Sequence, residues 1–132
     1  MNEITVVIIT YKSENIIYEF IKKIPKTIKV IIIDNSQNYE LKKNIEKEHK
    51  NISLFLKENN GVSSALNFAV DKIQTKYFLQ ISPDIEFNFN DLNFFIELAK
   101  EKKDNFAAIG PRFTDVNEKS HKQISEKIEF GQ

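Results

Sequence analysis

Four short runs rich in β-branched and aliphatic residues are the feature of this sequence that most constrains its fold. The runs occupy residues 4–9, 30–33, 52–56 and 77–81. The first two lack a regular polar alternation, which is typical of strands that are buried on both faces. Such strands belong to parallel sheets, whose crossover connections are usually helices. The segments between the runs are therefore expected to be helical.

Apolar residues at helical spacing occupy those intervening segments. The predicted helices cover residues 13–24, 39–49, 62–73 and 91–99. Ser13 and Asp91 are predicted N-caps, and Pro25 ends the first helix. This alternation of strand and helix predicts right-handed βαβ units and an α/β fold: a three-layer α/β/α sandwich, Rossmann-like, around a mostly parallel sheet.

The domain organisation follows from where the apolar pattern fades. A fifth strand is predicted at residues 106–109, and the hydrophobicity falls beyond about residue 114. We therefore expect one domain over residues 1–113 and a polar tail over residues 114–132.

Composition excludes several classes of function. The 132 residues contain no Cys and balance 19 Lys+Arg against 19 Asp+Glu. A chain without Cys has no disulfide framework, thiolate nucleophile or cysteine zinc site, and a neutral chain lacks the basic footprint of a nucleic-acid-binding protein. With neither a signal peptide nor a membrane-spanning run in the sequence, we expect a cytoplasmic protein. Peripheral membrane association and the oligomeric state stay open.

Two nucleotide-binding motifs are missing. The sequence has only three Gly residues and contains neither Gly-x-Gly-x-x-Gly nor a phosphate loop ending in Gly-Lys-Ser/Thr. NAD-dependent dehydrogenases and P-loop NTPases are thereby excluded. Only one basic residue, Arg112, is Arg, so phosphate recognition would need Lys, backbone N–H groups or a metal ion.

Polar residues follow each of the four predicted strands. They are Thr10 and Tyr11, then Asp34 and Asn35, then Asn59, Asn60 and Gly61, and finally Ser82 and Asp84. Because parallel strands deliver their carboxyl ends to one edge, where ligands bind in open sheets, these residues predict a site there. Taken singly, each group is equally typical of turn chemistry. Asn67 adds to the pattern, because an Asn inside an apolar helix costs helix propensity.

The order of these motifs resembles the nucleotide-sugar-binding half of a family 2 glycosyltransferase with the GT-A fold. The matching segments are residues 7–11, 30–36, 58–67, 77–84 and 107–112. The Asn-Asn-Gly segment and the Pro-Asp that ends at Asp84 are similar to the rhamnosyltransferase-like branch, in which Asn-Pro-Asp replaces Asp-x-Asp. The resemblance covers about the first 112 residues.

The resemblance implies a role for each site residue. Thr10 and Tyr11 would line the base pocket, and Asp34 would accept a hydrogen bond from a base or ribose donor. Asn60 and Gly61 would open a helix whose N-terminus favours negative charge. Asn67 would brace the nucleotide loop or the sugar.

The resemblance also implies a metal ion and two substrates. Asp84 would hold Mg²⁺ or Mn²⁺ against the diphosphate, and Ser82, which replaces the first carboxylate of the motif, would bind the substrate. The partners would be a nucleoside-diphosphate sugar donor and a saccharide or lipid-linked acceptor, in surface polysaccharide or lipopolysaccharide assembly.

The catalytic base is not identified. Inverting members of the family carry an acceptor-side carboxylate in a Glu-Asp pair well after the metal motif, and no such pair follows Asp84. We therefore expect a chain that binds donor but lacks part of the acceptor side. The alternative is a non-catalytic binding or interaction module that retains the fold. A receiver-like domain with Asp34 as phosphoacceptor is set aside, because no acidic pair follows the first strand.

Two charged features have simple interpretations. The run from Glu46 to Glu48 predicts an exposed helix face. Lys57, next to the Asn-Asn-Gly segment, is interpreted either as a phosphate contact or as an edge-strand Lys that discourages aggregation.

Overall fold

The four apolar runs form the strands of one parallel sheet, as predicted. The structure is a computed structural model that describes residues 3–102 and two short strands at 110–111 and 124–125. The strands of the sheet are β1 (Ile4–Thr10), β2 (Lys29–Asp34), β3 (Ile52–Leu56) and β4 (Tyr77–Ile81). Their order is β3-β2-β1-β4, and every neighbouring pair is parallel.

Helices connect these strands at the predicted places, and a further predicted helix follows β4. They are α1 (Glu14–Lys22), α2 (Tyr39–Glu48) and α3 (Val62–Val70), and a 3₁₀ turn (Phe89–Asp91) precedes α4 (Leu92–Glu101). Ser13 and Asp91 occupy the N-cap positions of α1 and α4, but neither side chain caps its helix. The position of each helix was therefore predicted correctly, whereas the capping contact was not.

The core lies on both faces of the sheet. One face carries Val7, Ile31 and Ile33, which pack with Ala65 and Ala69 of α3. Because neighbouring side chains of a strand point to opposite faces, the intervening buried residues of β1 and β2 lie on the other face. They are Val6, Ile8, Val30 and Ile32.

The order of the strands explains why helices cover both faces. The connections from β1 to β2 and from β2 to β3 step in one direction, and the connection from β3 to β4 returns past them. Right-handed crossovers therefore place α1 and α2 on one face and α3 on the other. The result is the three-layer α/β/α arrangement. The reversal falls between β1 and β4, which is where open α/β sheets bind their ligands.

The chain divides into two compact units, residues 1–90 and 91–132. The first contains the parallel sheet, and the second contains α4 and the antiparallel pair β5 (Gly110–Pro111) and β6 (Ile124–Ser125). The strand predicted at 106–109 and the domain boundary predicted at 113/114 lie outside the described residues. No helix in the described ranges is long and apolar enough to cross a membrane.

Candidate functional site

The carboxyl end of β2 carries a buried carboxylate that is held by four donors. Asp34 is fully buried. Its Oδ1 accepts from the Thr10 hydroxyl at 3.0 Å, the Ser36 hydroxyl at 2.6 Å and the Ser36 backbone N–H at 3.3 Å. Its Oδ2 accepts from the Asn38 N–H at 2.8 Å. A buried carboxylate needs such donors to offset its lost hydration.

These hydrogen bonds shape the loop that leads into α2. Gln37 adopts a φ of 53°, so the loop contains a left-handed residue. Asn38 then caps α2, its side chain accepting from the Leu41 N–H at 3.0 Å. Asp34 therefore fixes both the loop and the start of the helix. The prediction that Asp34 contacts a base stays a prediction, although its oxygens already accept four bonds within the chain.

The loop after β1 is joined to this loop through one hydroxyl. The Lys12 N–H donates to Ser36 Oγ at 3.1 Å, and Lys12 has a φ of 51°. Tyr11, immediately before it, is 50% exposed. The Ser36 hydroxyl bonds to both loops. The backbone next to the exposed Tyr11 ring is therefore held in place. The role of Tyr11 as the ring face of a base pocket stays a prediction.

Asn35 is a candidate residue that the sequence motifs did not single out for a role. Its N–H donates to the Thr10 carbonyl at 2.8 Å, and only 6% of the residue is exposed. Its side-chain oxygen is buried and accepts no hydrogen bond within the part of the chain that the structure describes. A buried oxygen that accepts no hydrogen bond is costly, and such an exception calls for an explanation. The sequence signal was its position directly after the strand, which is equally typical of a turn.

The start of α3 supplies open backbone donors. Gly61 occupies the N-cap with a φ of 94° and no side-chain cap. A Cβ at this position would have nothing within 4 Å, so glycine is required for its backbone conformation and not for space. Asn60 and Gly61 are exposed. The Lys57 ammonium donates to Ser64 Oγ at 2.9 Å and so lies against the first turn of α3.

The turn after β4 contains the predicted metal residue. Ser82 and Asp84 are exposed, and the Ser82 hydroxyl donates to Asp84 Oδ1. In the described ranges no group of three or more His, Asp or Glu residues could hold a metal ion. One carboxylate and one hydroxyl fit a hard cation only if phosphate oxygens and water complete its coordination. A divalent cation that binds together with a diphosphate would satisfy that condition.

Strand order determines which predicted residues share the site. The ends of β1 and β2 lie side by side, since Thr10 pairs with Asp34, and β4 lies on the other side of β1. Thr10, Tyr11, Asp34 and the Ser82–Asp84 turn therefore share one edge of the sheet. Asn67 is exposed, since it is two residues from Ala65 and on a different side of α3. The prediction that Asn67 braces the nucleotide loop or the sugar stays a prediction.

A surface cavity of about 430 Å³ lies elsewhere in the first unit, residues 1–90. It is lined by Ile21, Lys22, Lys23, Ile24, Pro25, Lys26 and His49. These residues precede β2 and β3 in the chain, so the cavity is at the amino ends of the strands. The polar strand ends are at the opposite edge.

A comparison with models of protein families identifies the family of this chain. A family model described as Glycosyl transferase family 2 matches residues 5–131. The low-salt glycan biosynthesis hexosyltransferase Agl10 of Haloferax volcanii is 23% identical over 117 residues, which is 85% of this chain and 37% of Agl10.

Solved structures share the fold. The crystal structure of S. aureus TarS 1-349 matches with a TM-score of 0.68 and 19% identity, over 92% of this chain and 38% of TarS 1-349. The same protein in complex with UDP matches with a TM-score of 0.59 and 21% identity, over 76% of this chain and 33% of the other. The chain thus spans less than two-fifths of the length of these relatives.

Proposed function

The chain belongs to glycosyl transferase family 2, and on that premise we propose that it binds the nucleoside-diphosphate sugar donor of a transferase that inverts the sugar linkage. The acceptor would be a saccharide or a lipid-linked saccharide in the assembly of surface glycans. The observation that carries the proposal is the buried side-chain oxygen of Asn35, which lies next to Asp34 and accepts no hydrogen bond within the described residues. A ligand with complementary donors and acceptors would satisfy it.

We assign the nucleotide base to the ends of β1 and β2. The exposed Tyr11 ring would stack on the base, and the Asn35 amide would supply an acceptor and a donor for its edge. Thr10 and Asp34 would hold the Tyr11 ring and the Asn35 amide in position without touching the base themselves. Their side chains are buried and hydrogen-bonded to each other. The UDP complex of TarS supports a uracil base as the first to test.

The diphosphate is assigned to the open donors of α3 and to a divalent cation. Backbone N–H groups that follow Gly61 favour an anion, and Asn60 is exposed beside them. Asp84 and Ser82 would hold Mg²⁺ or Mn²⁺, which as a Lewis acid would neutralise charge on the departing nucleoside diphosphate. Asn67, exposed on α3, is assigned to the sugar or the loop around it. We further propose that the chain belongs to the rhamnosyltransferase-like branch of the family.

Amide chemical shifts measured by NMR during a titration with UDP and Mg²⁺ test where the nucleotide binds. We expect the largest changes at Tyr11, Asn35 and Gly61, because each lies at or next to the proposed contacts. Ser53, on the exposed side of β3, serves as an internal reference and should not shift. Changes confined to the cavity around His49 would contradict the assignment.

Replacing Asp84 by alanine is expected to remove the metal dependence of donor binding. In the wild-type chain, adding Mn²⁺ should tighten UDP binding about tenfold or more, equivalent to about 1.4 kcal/mol. The variant should bind UDP with the same affinity with and without Mn²⁺. Calorimetry with and without the ion measures this difference. Asp71→Ala, an exposed carboxylate at the end of α3, is the matched control.

A non-catalytic binding module is the second candidate, favoured by Ser82 in place of a metal-binding carboxylate. An Asp84→Ala variant that retains the metal effect would favour this candidate. If the chain releases UDP from a UDP-sugar in the presence of acceptor, the non-catalytic module is excluded.

A further inference from the structure

Strand β3 presents one side of its backbone away from the sheet. It is at the edge of the order β3-β2-β1-β4 and pairs with β2. The Lys57 N–H, just past the strand, donates to the Asp34 carbonyl of β2 at 3.0 Å. Because backbone groups alternate in direction along a strand, Ile52, Leu54 and Leu56 point their N–H and C=O groups outward. Such an edge is a template for pairing with another chain.

The sequence of β3 favours pairing of this edge with another strand. Its five residues, Ile-Ser-Leu-Phe-Leu, carry no charge and include Ile and Phe, which are enriched in strands. Short segments of this type pair with their own copies when their edges are open. A second copy of the chain is the natural partner, since two identical edges can pair about a two-fold axis.

Two side chains of α2 engage the outward backbone of β3. The Leu54 N–H donates to Glu46 Oε2 at 3.0 Å, and the Lys42 ammonium donates to the Leu54 carbonyl at 2.7 Å. Lys42 and Glu46 also pair with each other at 2.9 Å. We call these two residues the edge pair. The outward Ile52 N–H is also occupied, because it donates to the His49 carbonyl at 3.2 Å.

The edge pair differs from an ordinary helix-surface ion pair. Its side chains are 32% and 35% exposed, whereas those of the Glu19–Lys22 pair are 75% and 62% exposed. Burial alone would raise the pKa of the Glu46 carboxyl, but the hydrogen bonds from the Leu54 N–H and from Lys42 outweigh it and lower the pKa. The charge run of Glu46 was expected on an exposed helix face; Lys47 and Glu48 are exposed, whereas Glu46 is only partly exposed because the strand lies against it.

We propose that the edge pair occupies the backbone groups of Leu54 and thereby keeps a second copy of this chain from pairing with β3. Removing both side chains leaves the Leu54 N–H and carbonyl without protein partners. A neighbouring β3 then supplies the missing partners. This function is independent of donor binding.

Light scattering coupled to size-exclusion chromatography tests the proposal. The double variant Lys42→Ala/Glu46→Ala should at least double its mean mass relative to wild type at a protein concentration on the order of 100 μM. Leu41 and Ile45 hold α2 in the core, so the helix stays in place. The matched control is Glu19→Ala/Lys22→Ala, which removes an equal charge pair without touching a strand and should keep the wild-type mass.

A rescue variant separates edge pairing from general aggregation. Ser53 is exposed on β3, and adding Ser53→Lys to the double variant should restore the wild-type mass, because a charged residue discourages edge pairing. A natively folded double variant with wild-type mass overturns the proposal. If the double variant does not fold, Lys42→Ala alone must raise the mass, and wild-type mass there overturns the proposal equally.

Discussion

Replacing Asp34 by alanine is expected to lower the free energy of unfolding by about 3 kcal/mol or more. The change leaves the Thr10 hydroxyl and the N–H groups of Ser36 and Asn38 without the acceptor that they share. A buried donor left unpaired costs about 1–3 kcal/mol, and water that reaches the partly buried N–H groups of Ser36 and Asn38 recovers part of this loss. Urea denaturation followed by circular dichroism measures the loss.

Asp71→Ala serves as the control for this stability effect. Asp71 is exposed at the end of α3, and a surface substitution of this kind changes stability by about 0.5 kcal/mol or less. If the Asp34→Ala variant is as stable as the control, the hydrogen bonds of Asp34 do not stabilise the two loops of the site.

Replacing Asn35 by leucine is expected to weaken UDP binding about tenfold to hundredfold without a loss of stability. Leucine has a similar shape but offers no hydrogen bond to the base, and lost hydrogen bonds of this kind cost about 1–3 kcal/mol. Stability should be unchanged or higher, because the substitution removes a buried oxygen that has no partner among the described residues. Calorimetry with UDP and a denaturation curve measure the two effects on the same sample.

The split between binding and stability distinguishes a ligand contact from a structural one. Asn15→Leu, at an exposed position of α1, is the control and should leave UDP binding unchanged. Unaltered UDP affinity in Asn35→Leu would remove Asn35 from the site. A large loss of stability would instead make it part of the core.

The strands and their shared polar edge were predictable because β-branched runs determine a buried strand almost by themselves. Residues 30–33 contain one Val and three Ile. Only a strand with both faces covered buries four consecutive apolar side chains, because neighbouring side chains of a strand point to opposite faces. Once the strands are parallel, Thr10 and Asp34 must end at one edge. Their register in the structure confirms this.

The hydrogen bonds between elements were not predictable. Ser36 is an ordinary turn residue in the sequence, yet its hydroxyl joins the loops after β1 and β2. Glu46 belongs to a charge run, yet it bonds a strand eight residues away. Such contacts depend on tertiary packing, which neither propensity nor periodicity contains. The exposure of Asn67 depends in the same way on which side of α3 faces the sheet.

Titration calorimetry of the 132-residue chain with UDP-, GDP- and dTDP-sugars in the presence of Mn²⁺ tests the central claim most directly. We expect saturable binding of at least one of these donors, with a dissociation constant between about 1 μM and 1 mM, which is the range of typical Michaelis constants. Absence of saturable heat for every donor, with a chain that retains native circular dichroism, would contradict the account.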